Sequence, residues 1–346
     1  MLLAMLLLAV RLAPEAPDVQ FKQPQLAADG DEVAVTYGDG GAVFFRISRD
    51  GAKSFSAPVR VSDGRIWALG RHRGPRIVMN GSIVVISAIG GERGRGTDGD
   101  LVAWRSLDEG KTWSKGIKVN DVPASAREGL HGMSSNRNGV ILATWLDLRN
   151  KRTKLYGTVS KDGGATWSTN RLIYDSSAGH ICECCHPSAA VAPDGTLYAM
   201  WRNWLNGSRD MYLGVSRDDG ATFQTSKLGH GTWPLNACPM DGGGLALGAK
   251  GAPLTVWRRA DTVYMAMPGK PEVGLGKGKD PSIAVTSDGQ VYAAWSEGPA
   301  IVAKLPGAKE PAMLTSEGSY VHLAGDGPVY AAWESAGTIL IEKLRK

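Results

Sequence analysis

The sequence has little of what marks nucleic-acid-binding, membrane-spanning or helical proteins. Among 346 residues there are only 5 Phe and 4 Cys, and the formal net charge is +5. The basic clusters Arg71-His72-Arg73 and Arg258-Arg259 are too short for a nucleic-acid footprint, so no nucleic-acid partner is predicted. Helical periodicity is not sustained, and beyond residue 10 no apolar run is long enough to cross a membrane. Gly (45) and Trp (11) are abundant, which is typical of short strands joined by tight turns.

The first ten residues are all apolar and are followed by Arg11 and a Pro/Ala/Glu stretch. A run this short fits the hydrophobic part of a signal peptide better than a membrane span. We therefore predict that residues 1–17 are a targeting segment and that residues 18–346 form one domain. The protein is then expected to be exported, either periplasmic or secreted. A buried first strand is the alternative interpretation.

One strand pattern recurs along the whole chain. A turn such as Asn138-Gly139 or Asp194-Gly195 precedes alternating apolar residues, and the seven copies end at Tyr37, Ser87, Trp145, Trp201, Trp257, Trp295 and Trp333. Units of a few strands cannot bury their faces alone, but they can do so in a ring. The predicted fold class is all-β: a single closed β-propeller of four-stranded blades, seven by the repeat count, with six as the alternative. The repeated Trp residues are expected to pack between blades.

The last unit has no outer strand of its own after Thr338–Leu344. An open sheet edge is a liability, so we expect the N-terminal segment at residues 19–22 to pair alongside this strand. The same closure favours a single ring over two domains.

Four of the third strands end in the same octet, at residues 48–55, 106–113, 160–167 and 216–223, of which the first is degenerate. In each octet the Asp accepts backbone N–H bonds, the Gly takes a positive φ, and the final aromatic packs inward. These octets resemble the Asp-box of the sialidase (BNR-repeat) superfamily. The resemblance implies a β-propeller, but the motif is structural and does not imply an activity.

The resemblance also implies candidate catalytic residues. A sialidase holds the substrate carboxylate with three arginines and uses an Asp acid/base and a Tyr nucleophile. Arg76, after Gly74-Pro75, resembles the first of these arginines. Asp98 or Asp100, in a loop before an Asp-box, resembles the acid/base, and Tyr320 resembles the nucleophile. The family ring has six blades, so the seven counted here depart from its pattern.

All four cysteines lie in two clusters at equivalent positions of neighbouring units. Cys182 and Cys238 have the same spacing as Trp201 and Trp257. Both clusters fall in the connection to an innermost strand, and such connections surround one mouth of a propeller channel. The repeat therefore predicts that soft ligands converge there, with His180 nearby: Cys182, Cys184, Cys185, His186, Cys238, Met240 and His131.

Thiolate, thioether and imidazole ligands together favour copper, with zinc second if only Cys and His bind. Disulfides are the alternative in an exported protein. Cys238, however, can pair with only one of the three crowded cysteines, which leaves two thiols or an awkward near-neighbour pair. The sequence is compatible with either metal and with either thiol state.

Arg202, Arg209 and Arg258 stand near Trp residues and are candidate substrate-binding residues for a small molecule or glycan. The leading hypothesis is an exported propeller with a Cys/His/Met metal site in a binding or redox role. One alternative is an exo-α-sialidase or related glycoside hydrolase, and another is a metal-free interaction scaffold stapled by disulfides. The sequence indicates no oligomeric state.

Overall fold

The structure, a computed structural model, describes residues 9–344 except residues 63, 95 and 150. In this part of the chain, thirty strands form seven antiparallel sheets, and the helical content is one 3₁₀ turn at Ala249–Gly251. The innermost strands of consecutive sheets contact one another, and that of the seventh sheet contacts that of the first. The predicted seven-bladed all-β propeller is confirmed, and the six-bladed alternative is wrong.

Each of the first four blades runs from the channel outwards in chain order. The chain begins with β1 (Val10–Leu12), which belongs to the last blade. Blades 1 and 2 then consist of β2 (Lys22–Asp29), β3 (Glu32–Gly38), β4 (Val43–Ser48) and β5 (Val59–Arg60), and of β6 (Ile66–Trp67), β7 (Arg76–Asn80), β8 (Ile83–Gly91), β9 (Asp100–Ser106) and β10 (Ile117–Lys118). Blades 3 and 4 consist of β11 (His131–Ser135), β12 (Ile141–Asp147), β13 (Lys154–Ser160) and β14 (Arg171–Tyr174), and of β15 (His180–Ile181), β16 (Ser188–Val191), β17 (Leu197–Leu205), β18 (Ser208–Ser216) and β19 (Gln224–Lys227).

The last three blades follow the same plan. Blade 5 consists of β20 (Gly244–Leu247), β21 (Pro253–Arg259), β22 (Thr262–Ala266) and β23 (Val273–Lys277), and blade 6 of β24 (Lys279–Val285), β25 (Val291–Glu297), β26 (Ala300–Lys304) and β27 (Ala312–Thr315). Blade 7 consists of β28 (Ser319–Ala324), β29 (Val329–Ser335), β30 (Thr338–Leu344) and, as its outer strand, β1.

The ring is closed by an N-terminal strand, but not by the predicted residues. β1 pairs antiparallel with β30, with Val10 opposite Ile341. From the predicted segment 19–22, Phe21 N donates a single backbone bond to Gly337 O at 2.9 Å. The prediction that residues 19–22 pair alongside Thr338–Leu344 is therefore wrong. The residues after β1 are needed to cross from the outer edge of blade 7 to the channel, where β2 begins.

The repeated indoles pack between blades as predicted. The five side chains occupy the second strand of their blades and are at most 3% exposed: Trp145, Trp201, Trp257, Trp295 and Trp333. The Asp-boxes also have the expected bonds. In the copy at 160–167, Ser160 Oγ donates to Asp162 Oδ1 at 2.8 Å, and Thr166 N donates to the same oxygen at 2.9 Å. Gly164 has a φ of 84°, which favours glycine.

The inner strands surround a channel of about 440 Å³. All of them run in the same direction, so residues at their beginnings and ends lie at opposite mouths. At the channel mouth where the inner strands end, the exposed Arg137 side chain forms ion pairs with Asp326 and, at 3.5 Å, with Asp29. Both sites described below lie at the other mouth, where the inner strands begin. No helix in the described ranges has the length and apolarity of a membrane span.

Candidate functional site

The four cysteines form one cluster between blades 4 and 5. The Sγ atom of Cys182 is 2.9 Å from that of Cys185 and 3.6 Å from that of Cys184. Cys184 is joined to Cys238 in a disulfide, and Met240 packs against the other sulfur-bearing residues. We name these five residues the sulfur cluster. The equivalent positions of neighbouring blades thus lie together, as the repeat spacing predicts.

Backbone hydrogen bonds position the free sulfurs. Cys185 N donates to Cys182 O at 3.2 Å, which closes a tight turn and brings the two side chains together. Cys182 N donates to Arg202 O on β17 at 2.9 Å, which fixes the turn to blade 4. On the side of blade 5, Met240 has left-handed backbone, with a φ of 53°, and packs against Cys182, Cys184 and Cys185.

The charge around the two free cysteines differs. The hydrogen bond with Cys185 and, after it, the positive charge of nearby Arg209 lower the pKa of Cys182 to about 7 against the effect of burial. The Nη1 atom of Arg209 lies 3.1 Å from Cys182 Sγ. Burial raises the pKa of the Cys185 thiol well above its usual value. Cys182 is therefore the thiolate of the pair near neutral pH. Both are buried, whereas Cys238 is exposed.

The two histidines predicted as ligands point away from the sulfurs. The His186 ring stacks on His72 in the channel, with centroids 4.5 Å apart, and its Nε2 is 3.2 Å from Gly243 O. His131 is buried, and its Nε2 is 3.0 Å from Ser87 Oγ of blade 2. Successive side chains of an extended chain point to opposite sides, so a histidine directly after Cys185 does not reach the sulfurs.

His180 also stays apart from the cluster, because its ring stacks on Trp204 with centroids 4.8 Å apart. Within the described ranges, a single group of three His, Cys, Asp or Glu residues has its ligand atoms within 4.8 Å of one another: Cys182, Cys184 and Cys185.

A second group of polar side chains crosses the channel mouth. His72 lies in the loop before β7, and its Nε2 is 2.7 Å from Asp280 Oδ1 of blade 6. Tyr320 of blade 7 meets the His72 ring edge-on, and Arg71 Nε donates to Tyr320 Oη at 3.4 Å. Burial opposes ionisation of Asp280, but the hydrogen bond from His72, together with the positive charge of His72, Lys279 and Arg71, outweighs burial and lowers the pKa of that carboxyl. The carboxylate thus fixes the imidazole and leaves Nδ1 unengaged by Asp280.

The backbone is strained at this mouth. His72, Asp280 and Tyr320 each have a φ of 55°, and Gln23 has one of 56°. Such left-handed backbone costs roughly 1–3 kcal/mol at a residue other than glycine and clusters at functional sites. Gln23, Asp280 and Tyr320 are each the second residue of an inner strand, at a β-bulge that directs the side chain into the mouth. We name His72, Asp280 and Tyr320 the mouth triad.

Residues 38–250, more than half of the chain, match the family model of the BNR repeat-like domain. The chain belongs to this family. A search of curated proteins gives no match.

Several solved structures share the fold. A Hadza microbial sialidase is 17% identical with a TM-score of 0.54, covering 90% of this chain and 73% of its own. The GH93 α-L-arabinofuranosidase of Fusarium graminearum is 13% identical with a TM-score of 0.56, covering 97% of both chains. A PL25 ulvan lyase is 12% identical with a TM-score of 0.55, covering 96% of this chain and 95% of its own. At such identities the likeness concerns the fold alone.

Two of the residues proposed from the sialidase resemblance meet at one mouth. Arg76 and Tyr320 both line the channel. Arg76 is only 8% exposed, however, and its guanidinium donates to the backbone carbonyls of His72, Gly74 and Pro75. The one other arginine among the described channel-lining residues is Arg137, at the opposite end. This lining does not provide three guanidiniums for one carboxylate.

The two candidate acid/base residues shape loops of blade 2. Asp98 accepts a backbone bond from Glu92 N at 2.9 Å, which lowers the pKa of its carboxyl. Asp100 accepts bonds from Asn120 Nδ2 at 2.8 Å and Ala124 N at 2.7 Å. Neither lies among the channel-lining residues, so their catalytic role stays a prediction that the geometry does not favour.

Two of the three candidate substrate-binding arginines, Arg202 and Arg209, lie at the sulfur cluster. Arg202 is 1% exposed and donates to the carbonyls of Asp241, Arg209 and Arg258. Arg209 is engaged with Cys182, whereas Arg258 and Trp233 border a second cavity of about 580 Å³. Arg202 and Arg209 therefore support the cluster, and of the three Arg258 alone lines a cavity open to a ligand.

His72 and Asp280 were missed as site residues by the sequence interpretation. They are 208 residues apart, and His72 stood out only as part of a short basic cluster. One sequence signal could have identified them. Both residues lie just before or at the start of an innermost strand, and the same position in the repeat led to the prediction that the cysteines lie at this mouth.

Proposed function

We propose that the chain is an exported BNR-type propeller whose sulfur cluster binds one soft transition-metal ion, copper in preference to zinc, in a binding or redox role. The observation that carries the proposal is the close pair of free, buried sulfurs at Cys182 and Cys185, with Met240 packed beside them. These three ligands are available with the Cys184–Cys238 bond intact. Reduction of that bond supplies two further thiolates.

The donor set favours copper. Two thiolates and a thioether are soft ligands that select Cu(I), whereas structural zinc is bound by four Cys or His ligands in a tetrahedron. Both predicted imidazole ligands lie apart from the sulfurs, which removes the donors that zinc would share with copper. Arg209 next to Cys182 stabilises the thiolate that a metal needs.

Metal-free protein with the disulfide intact is expected to bind one Cu(I) per chain in an anaerobic titration against a chromogenic Cu(I) chelator. Cys182→Ser and Cys185→Ser should abolish this binding because each removes one of the two thiolates. Met240→Leu, which nearly conserves volume, should weaken it. The propeller should stay folded in all three variants, as measured by circular dichroism.

Cys238→Ser is the matched control, since it breaks the disulfide but leaves Cys182, Cys185 and Met240 in place. It should retain Cu(I). A wild-type protein that loses Cu(I) to dialysis, or serine variants that bind as well as wild type, would contradict the copper site. Tighter binding of Zn²⁺ than of Cu(I) would overturn the metal preference.

A second candidate function is suggested by the mouth triad: action on a carbohydrate held in the channel. His72, oriented by Asp280, can serve as a general base through Nδ1, and Tyr320 lies beside it as a proton donor. The solved sialidase, arabinofuranosidase and ulvan lyase are carbohydrate-active by their names. Among the described lining residues the arginines are Arg76 and Arg137, and both are engaged by other groups of the protein, which speaks against sialosides as the preferred substrate.

Turnover of arabinan and ulvan oligosaccharides, with a sialoside for comparison, is the test of this second candidate. His72→Gln should lower any activity roughly 10²–10⁴-fold, the usual contribution of a general base. Arg137→Gln at the opposite mouth is the control and should leave the rate unchanged. Equal activity of His72→Gln and wild type, or no turnover of any of the three substrates, counts against this function.

A further inference from the structure

The sulfur cluster contains two cysteine pairs in different redox states within reach of each other. The Cys184–Cys238 pair is oxidised, and Cys182 and Cys185 are free. The Sγ atom of Cys182 lies 3.6 Å from Cys184 Sγ, one sulfur of the disulfide, and 2.9 Å from Cys185 Sγ. Thiol–disulfide exchange requires three participants: an attacking thiolate, a disulfide and a second thiol. Here they lie next to one another in space.

Exposure divides the cluster into an outer and an inner part. Cys238 is exposed, whereas Cys182 and Cys185 are buried. A reagent or protein in solution therefore reaches the cluster at Cys238. Arg209, which contacts Cys182 Sγ, places positive charge at the sulfur that lies next to the disulfide.

We propose that the sulfur cluster is a thiol–disulfide exchange site in which two electrons pass between the buried Cys182/Cys185 pair and an external dithiol or disulfide through the exposed Cys238. The external partner is a dithiol protein or small thiol when it reduces the cluster, and the corresponding disulfide when it accepts electrons from it. This activity uses the cysteines of the proposed metal site but does not need a metal.

The internal exchange balances without an outside oxidant. The Cys182 thiolate attacks Cys184 Sγ, the Cys184–Cys238 bond breaks, and its electron pair leaves on Cys238 Sγ, which takes a proton from water. Cys185 gives its proton to water and attacks Cys182 Sγ, and Cys184 leaves as the second thiolate. One disulfide and two thiols become a Cys182–Cys185 disulfide and two thiols. The turn closed by Cys185 N and Cys182 O holds the new pair at bonding range.

Trypsin separates the two disulfide arrangements. Cys182, Cys184 and Cys185 fall in the tryptic peptide 172–202, and Cys238 falls in the peptide 228–250. The Cys184–Cys238 bond joins these two peptides, whereas a Cys182–Cys185 bond leaves them separate. Mass spectrometry of a tryptic digest therefore reports the position of the bond directly.

The experiment treats folded, oxidised, chelator-washed protein with N-ethylmaleimide and no reductant. We expect label on Cys238, loss of the cross-link between the two peptides, and an internal bond within peptide 172–202. Cys182→Ser should keep the cross-link and leave Cys238 unlabelled, because the attacking sulfur is gone. Cys185→Ser should still release Cys238 but stop at a Cys182–Cys184 bond.

A cross-link that persists in wild type as long as in Cys182→Ser overturns the proposal, as does label on Cys182 with the cross-link intact. Even if a variant fails to fold, the position of the label in the wild-type protein shows whether exchange releases Cys238. Because the assay is metal-free, exchange can fail while Cu(I) binding holds, and the reverse. Each outcome therefore separates the exchange site from the proposed metal site.

Discussion

Removal of residues 1–12 is expected to destabilise the whole propeller and to make it self-associate. The deletion takes away β1, the outer strand of blade 7, and with it the buried Leu12, which packs in the core cluster shared by blades 1 and 7. Burial of one Leu side chain contributes about 1.5–3 kcal/mol, so with the lost strand pairing we expect a loss of roughly 3 kcal/mol. Thermal unfolding should shift downwards by on the order of 4 °C.

The association follows from the edge that the deletion exposes. Without β1, the backbone of β30 presents unpaired N–H and C=O groups, which template pairing with another chain. Size-exclusion chromatography at several concentrations should reveal oligomers of the 13–346 form. A 9–346 form, which keeps β1, is the matched control. Equal melting temperatures for the two forms would mean that β1 does not close the ring in solution.

The closing strand was the part of the fold that the sequence indicated least well. The blades could be predicted from short motifs that repeat along the chain. These are the seven Gly turns, the repeated Trp residues and the Asp-boxes, each of which depends only on neighbouring residues. β1 has three residues and begins at Val10, the last residue of an apolar run, and such a run does not distinguish a buried strand from a signal peptide. The predicted targeting segment 1–17 contains this strand, so cleavage after residue 17 would remove it.

The candidate site was predictable where it depended on the repeat and not where it depended on side-chain direction. Equal spacing brought Cys182 and Cys238 to one place, which the structure reproduces. The spacing of residues along the chain does not determine in which direction a side chain points. His186 was therefore predicted to be a ligand together with the cysteines, although its ring points away from the sulfurs. His72 comes from a loop and Asp280 from a bulge at the start of an inner strand, features that the repeated apolar pattern does not indicate, and only ring closure brings the two residues together.

Arg202→Met is expected to be among the most destabilising single substitutions near the site. Its guanidinium is buried at the junction of blades 4 and 5 and donates to three carbonyls: those of Asp241, Arg209 and Arg258. A buried acceptor left without its donor costs about 1–3 kcal/mol, so the free energy of unfolding should fall by roughly 3 kcal/mol or more. Equilibrium urea unfolding measures this change.

The same substitution should open the sulfur cluster, because the bond to Asp241 O holds β17 against the loop that carries Met240 and the bond to Arg258 O holds it against β21. Cys182 and Cys185 are then expected to react with a thiol reagent in the folded protein much faster than in wild type. Arg202→Lys should recover only part of the loss, since an ammonium is a point charge that cannot span three carbonyls in a fixed fork.

Arg258→Met is the matched control for Arg202→Met. Its guanidinium donates to Ala260 O and also pairs with Asp241 Oδ2 at 4.0 Å, but it does not join three carbonyls, so its removal should cost less than that of Arg202. If Arg202→Met proves as stable as Arg258→Met and its cysteines stay protected, the two blades are held together by contacts other than this guanidinium. Arg202 would then not have the structural role assigned to it, and the prediction that it binds a ligand would gain support.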